Sequence, residues 1–252
     1  MIFKLLIIII ICLLLNKYVD LQSTTTINQL ISCSNLYGSS TKLTGNCSLI
    51  YNCKGAAFVT TDCPNPQICC VQDTSSSSST NSKITKAIFL KIAGNTARND
   101  WIYNYFSESM ILAEIDNEYK AAAYLSQLIG DTDYFKSIEA IRPEKDNDLS
   151  IGNNKTGDGS LYRGRGGILL RGRLNYELAS NGLNLNNNLI QYPEYAVFPS
   201  NAFKIAAWFW KSNAFVVKST SISKKESLNN LVDGTFFNFT MLTHSLTNNL
   251  QS

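Results

Sequence analysis

GDGSLYRGRGGILLRGRLNY, residues 157–176, is the stretch on which the reading of this chain turns. Glycines at 157, 159, 164, 166, 167 and 172 are interleaved with Arg163, Arg165, Arg171 and Arg173. Such a segment has three physical readings: a loop that cradles phosphate, a disordered arginine–glycine tract that binds RNA, or a folded turn in the wall of a cleft. A phosphate loop needs Gly-x-x-x-x-Gly-Lys-Ser/Thr between a strand and a helix, and no lysine stands in the stretch. RNA-binding arginine–glycine tracts are low in complexity and gain nothing from a core. Here Ile168, Leu169, Leu170 and Tyr176 interrupt the pattern and ask to be buried. The stretch therefore reads as a glycine-shaped backbone turn, held by a buried apolar segment, with Tyr and Arg side chains facing a groove.

The 252 residues carry a formal charge of +3, with 16% charged residues. That basic balance is too mild to point to nucleic acid. The first residues, MIFKLLIIIIICLLLNKYVD, pair Lys4 with an apolar run from Leu5 to Leu15, the form of a secretory signal peptide over residues 1–20. A membrane anchor would need about 20 apolar residues in succession, and the run stops short. The expectation is a secreted, extracellular protein with no stable membrane insertion once the signal is removed.

Cysteine usage fits that compartment. Cys12 lies in the signal, and the other six, Cys33, Cys47, Cys53, Cys63, Cys69 and Cys70, all precede residue 71. An even set in a short stretch of a secreted chain reads as a disulfide framework. A metal site is disfavoured, because no His lies near and paired Cys-x-x-Cys knuckles are missing. Asn154-Lys155-Thr156 and Asn238-Phe239-Thr240 match the N-glycosylation pattern.

Residues 33–70 thus form a six-cysteine module whose core is too small to fold without staples. Residues 73–83 are a Ser-rich linker, and residues 84–252 a second domain with a conventional core. Its apolar residues recur at helical spacing over Trp101–Glu114, Tyr119–Ile129 and Pro199–Trp210, with Gly130 placed to end the second helix. Asn175–Ala179 opens a shorter helix, and 142–167 reads as loop. The fold class is mainly α.

Three motifs carry a resemblance. Gly157-Asp158-Gly159, Tyr162-x-Gly164-Arg165-Gly166 and Gly172-Arg173-x-Asn175-Tyr176 form the first. Phe203-Lys204-x-x-x-Trp208-Phe209-Trp210 is the second, and AAAYLSQ, Ala121 to Gln127, the third. Together, over about residues 100–235, they resemble glycoside hydrolase family 19, the chitinases and related endolysins. The resemblance implies a lysozyme-like, bilobal helical fold with a cleft between the lobes. It also implies inverting hydrolysis of β-1,4-linked N-acetylglucosamine polymers, chitin or peptidoglycan, with no metal or other cofactor.

Inverting hydrolysis needs one carboxylic acid to protonate the leaving oxygen and a second carboxylate to activate water. Counting forward from Gln127 puts Asp131 where the resemblance places the catalytic Glu, and Gly130 where it places the preceding His. Asp is one methylene shorter, about 1.5 Å, and a misplacement of about 1 Å can cost ~10²-fold. The second carboxylate would fall at Ala140; its neighbour Glu139 becomes the base if the backbone shifts by one residue. The family's Ile-Gln-Leu-Ser/Thr becomes Ile168-Leu169-Leu170-Arg171, so two polar contacts are replaced. By the same resemblance Tyr162, Asn175, Lys204 and Trp208 would line the groove. Arg165 is either a substrate contact or an internal ion pair that pins the turn, and Trp208 either a sugar platform or core. His244, the single histidine, has no partner motif. What is retained shapes the backbone and the core; what is lost serves chemistry alone. The alternative function is accordingly a non-catalytic carbohydrate-binding or immune-type interaction protein on the same fold.

The six-cysteine module has two resemblances of its own. Its terminal Cys69-Cys70 and Gly45-x-Cys47 look like a clip domain, which would imply Cys33–Cys69, Cys47–Cys63 and Cys53–Cys70. The rival is a chitin-binding knot, with Tyr37, Tyr51 and Phe58 stacking on sugar rings. In the first case a protein partner contacts the module; in the second, the polymer does.

Overall fold

Three disulfides, Cys33–Cys69, Cys47–Cys63 and Cys53–Cys70, organise the first part of the chain. A computed structural model describes residues 31–34, 43–73, 83–140, 149, 151–186, 188–212 and 227–232. The signal-like segment before Ile31, most of the serine tract, Tyr37, Lys224 to Glu226, Asn238 and His244 lie outside the described residues.

Four short antiparallel strands make one sheet: β1 (Ser32–Cys33), β2 (Gly45–Ser48), β3 (Gly55–Phe58) and β4 (Ile68–Gln72), in the order β1-β2-β4-β3. Successive side chains on a strand point to opposite faces. Cys69 and Cys70, adjacent on β4, therefore staple both sides of the sheet, one to Cys33 and the other to Cys53. This is the pairing that the clip resemblance implies. The sulfurs of Cys33, Cys47 and Cys63 lie close together, but each is spent in a disulfide and offers no thiolate to a metal.

The sheet does not bury its apolar face alone. Ala56, Phe58, Cys63, Cys69 and Val71 pack with Ile138 and Val197 of the helical part. The Phe58 ring meets Phe198 edge-on, with centroids 6.4 Å apart. Arg98 crosses the same seam. Its Nη1 donates to the carbonyls of Cys53 and Gly55, both at 2.9 Å, and its Nε donates to that of Phe135 at 3.3 Å. Burial lowers its pKa to about 10, so the guanidinium stays charged at neutral pH.

The helical part contains α1 (Lys86–Ala93), α2 (Ala97–Leu112), α3 (Glu118–Thr132), α4 (Asp158–Leu161), α5 (Arg173–Gly182), α6 (Asn188–Gln191) and α7 (Pro199–Ser212). Short 3-10 turns cover Pro193–Val197 and Leu228–Leu231. Side-chain caps start the first three: Thr85 accepts from Ile88 N, Thr96 from Asn99 N and Asn117 from Lys120 N. The core is aromatic. Phe89 stacks on Phe106 at 4.9 Å, Phe106 on Tyr124 at 6.1 Å, and Tyr124 meets Trp210 edge-on at 5.2 Å. Asn229 closes the C-terminal side, accepting from Trp210 Nε1 at 2.8 Å and donating to the Ala113 carbonyl at 2.8 Å.

One boundary differs from the sequence expectation in a way that matters. α3 does not end at Gly130; it runs to Thr132, and Asp133 takes the left-handed cap at φ 45°. The cause is Thr132, whose Oγ1 donates to the Leu128 carbonyl at 2.6 Å and accepts from Phe135 N at 3.0 Å. Asp131 is thereby held within the last helical turn rather than in a solvated tail.

Candidate active site

The glycine–arginine stretch folds as a tight stitched loop between α4 and α5. Arg165 N donates to Leu170 O at 3.0 Å, and Gly172 N to Tyr162 O at 2.8 Å. The loop is sewn to the preceding segment by Ala140 N to Gly164 O at 2.8 Å and Gly166 N to Ile138 O at 2.9 Å. Gly172 sits at φ 88°, and a Cβ there would strike the Ile151 carbonyl. A side chain at 172 is thus excluded both by conformation and by space.

Against this loop lies a carboxylate with two guanidinium donors on one of its oxygens. Glu139 Oε1 accepts from Arg163 Nη2 at 2.6 Å and from Arg165 Nε at 2.8 Å. The side chains of Arg163 and Arg165 are almost fully buried, and that of Glu139 is only 10% exposed. Arg165 Nη1 also donates to Leu161 O at 2.7 Å and to the Tyr176 hydroxyl at 3.2 Å, and that hydroxyl donates to Arg163 O at 2.7 Å. Burial works against the Arg165 charge, but Tyr176 and Glu139 outweigh it and raise its pKa. Tyr176, wholly desolvated, titrates above the usual tyrosine range.

Asp131 presents the opposite situation. Its Oδ1 accepts from Gln127 Nε2 at 2.9 Å, one helical turn back. Its Oδ2 is shut away from solvent and has no hydrogen-bond partner among the described residues. Desolvation raises the pKa to about 6, against the Gln127 hydrogen bond and the nearby Arg171 charge, which lower it. With a pKa near 6 the carboxyl holds its proton in mildly acidic solution, where an ordinary Asp has lost it.

The remaining sequence-derived positions divide. Asn175 lies in α5's first turn, where its Nδ2 donates to the carbonyl of Arg171, four residues back, at 2.8 Å. Tyr162 is buried. Its hydroxyl donates to Ile190 O at 3.1 Å, its ring meets Tyr176 edge-on at 5.3 Å, and the Arg173 guanidinium lies 4.5 Å above it. Lys204 is exposed on α7, and among the described residues no hydrogen bond or ion pair joins it to Tyr162 or Asn175. Trp208, half-buried on the same helix, lies so close to Gly182 that any side chain there would collide with the indole. Arg165 pairs internally with Glu139.

Sequence reasoning passed over the partners that set these environments: Gln127, Arg163, Tyr176 and the Asp158–Arg173 pair. Arg173 grips Asp158 with Nε to Oδ2 at 2.8 Å and Nη2 to Oδ1 at 2.6 Å. Gln127 was within reach of a sequence argument, because residues four apart on a helix are neighbours and Asp131 follows it by that interval. The partners of Glu139 had no such signal, since Arg163 and Arg165 follow it by 24 and 26 residues.

No protein-family profile matches the chain, and no curated protein matches it. Among solved structures it is similar to chitinase C from Streptomyces griseus, at 20% identity and a TM-score of 0.48, over 67% of this chain and 82% of that one. A mutant of chitinase C aligns at 20% identity and a TM-score of 0.42, over 69% of this chain and 98% of its own.

Proposed function

We propose that this is a secreted protein that binds β-1,4-linked N-acetylglucosamine polymers on a family 19 chitinase scaffold and has lost most of its hydrolytic power. The observation that carries the reading is the contrast between two carboxyl groups. Burial keeps the Asp131 proton to a higher pH than an ordinary Asp, as an acid catalyst needs, whereas one oxygen of Glu139 is taken by two arginines, which ties the carboxylate down where a base must be free to accept a proton. Inversion requires both roles. Losing a general base costs about 10²–10⁴-fold. The three motifs that resemble the family support the polymer as ligand, and the apolar leader with three disulfides supports secretion.

The test is retention of the full chain on chitin beads, together with chromatography of N-acetylglucosamine hexamer after prolonged incubation. Retention with little or no cleavage is expected. Any residual cleavage should fade above about pH 6, where Asp131 loses its proton, and Asp131→Asn should abolish it. Rapid cleavage to an inverted product would overturn the impairment. Failure to stay on chitin would overturn the binding.

A further inference from the structure

The sequence Asn154-Lys155-Thr156 plays no part in the polymer reading, and the fold presents it in an unusual way. Residues 151–157 form a turn laid against the start of α5. Gly152 O accepts from Leu174 N at 3.2 Å, and Asn153 Oδ1 accepts from Arg173 N at 2.7 Å. Asp158 Oδ2 accepts from the backbone N–H groups of Asn154 and Lys155, each at 3.1 Å. The carboxylate that does this is itself fixed by the two Arg173 bonds. Burial opposes its charge, but the Arg173 hydrogen bond and the backbone donors prevail and hold its pKa below the usual carboxylate range.

The backbone of the turn is therefore pinned while the side chains of Asn154, Lys155 and Thr156 stand exposed. The hydrogen bond made by Asn154 is through its backbone, and none engages its carboxamide among the described residues. Gly157 follows at φ 90°, with open space around its α-carbon. A bulky group on the Asn154 side chain displaces no packing and breaks no hydrogen bond. The three disulfides place folding in an oxidising compartment, where asparagine-linked sugar transfer also takes place.

We infer that Asn154 is an N-glycosylation site. The donor is a polyprenyl-diphosphate-linked oligosaccharide. The carboxamide Nδ2 of Asn154 forms a bond to the anomeric carbon, the bond from that carbon to the diphosphate oxygen breaks, the amide nitrogen gives up one proton, and the polyprenyl diphosphate leaves with the bonding electron pair. No oxidation or reduction occurs. The product is bulky, surface-placed and solubilising.

The test uses the full chain expressed through the secretory pathway of eukaryotic cells and recovered from the medium. Enzymatic release of N-glycans in 18O water should convert Asn154 to 18O-labelled aspartate in the tryptic peptide. Thr156→Ala and Asn154→Gln should each lose one electrophoretic step, and Thr156→Ser should keep it. Because Thr156 is exposed, its loss separates absent transfer from misfolding. The peptide at Asn238 serves as an internal control for transfer. An unlabelled Asn154 beside a labelled Asn238 would overturn the inference, as would an Asn154 unlabelled in every preparation or a chain that never enters the secretory lumen.

Discussion

The last turn of α3 and the loop after α4 treat their carboxylates in opposite ways. At the helix end, Asp131 has a single side-chain donor among the described residues, Gln127, and one oxygen with none. Against the loop, Glu139 is gripped by two guanidinium groups that the loop supplies, and a tyrosine hydroxyl holds one of them in place. Desolvation raises the pKa of the first group to about 6; the second is fixed in place by its two arginines. The difference teaches that two carboxyls of one fold can be left poorly solvated or locked in place. Which of the two is decided by how many donors the chain brings to each.

The sharpest way to break this contrast is to empty the loop. Glu139→Ala leaves Arg163 and Arg165 buried without their shared carboxylate, and should cost about 3–5 kcal/mol in denaturant unfolding. A loss below about 1 kcal/mol would mean that the cluster is far wetter than its geometry. Next comes the helix end. The Asp131 carboxyl titrates at 3.8 when unperturbed and near 6 in the folded chain, so the folded state holds the extra proton between those values. Stability therefore falls as pH rises from about 4 to about 6 and stays lower above. Asp131→Asn, neutral throughout, should raise stability at pH 7 by about 1–3 kcal/mol and change little near pH 3. A flat pH response in the parent chain would refute the desolvated carboxyl. The smallest effect is expected of Tyr176→Phe, which strips one acceptor from Arg165 and one donor from Arg163 O. It should cost about 1 kcal/mol and leave the pH response of Asp131 intact.

Legibility in the sequence followed range. The helices α2, α3 and α7 were readable because a helix is built from neighbours three and four residues apart. Gly130 misled for the same reason: glycine is a good stop signal, but Thr132 donates back to Leu128 O and accepts from Phe135 N, and so carries the helix past it. The sheet of the cysteine module was not foreseen. Its strands span two to five residues, too few for alternation to stand out, and their order depends on bridges across 16 to 36 residues. Of the candidate site, Asp131 and its helical neighbour were within reach. The surroundings of Glu139 were not, since they arise only when the loop folds back onto residues 138–140.

Arg98 has a practical consequence. A guanidinium with two of its donors spent on the carbonyls of Cys53 and Gly55 makes the stapled sheet a structural creditor of the helices. Trimming the chain at the serine tract, the obvious cut for anyone wishing to produce the helices alone, would strand that cation beside an uncovered apolar wall. Shuffling the two parts among other proteins would demand a matching pair of acceptors in every new companion.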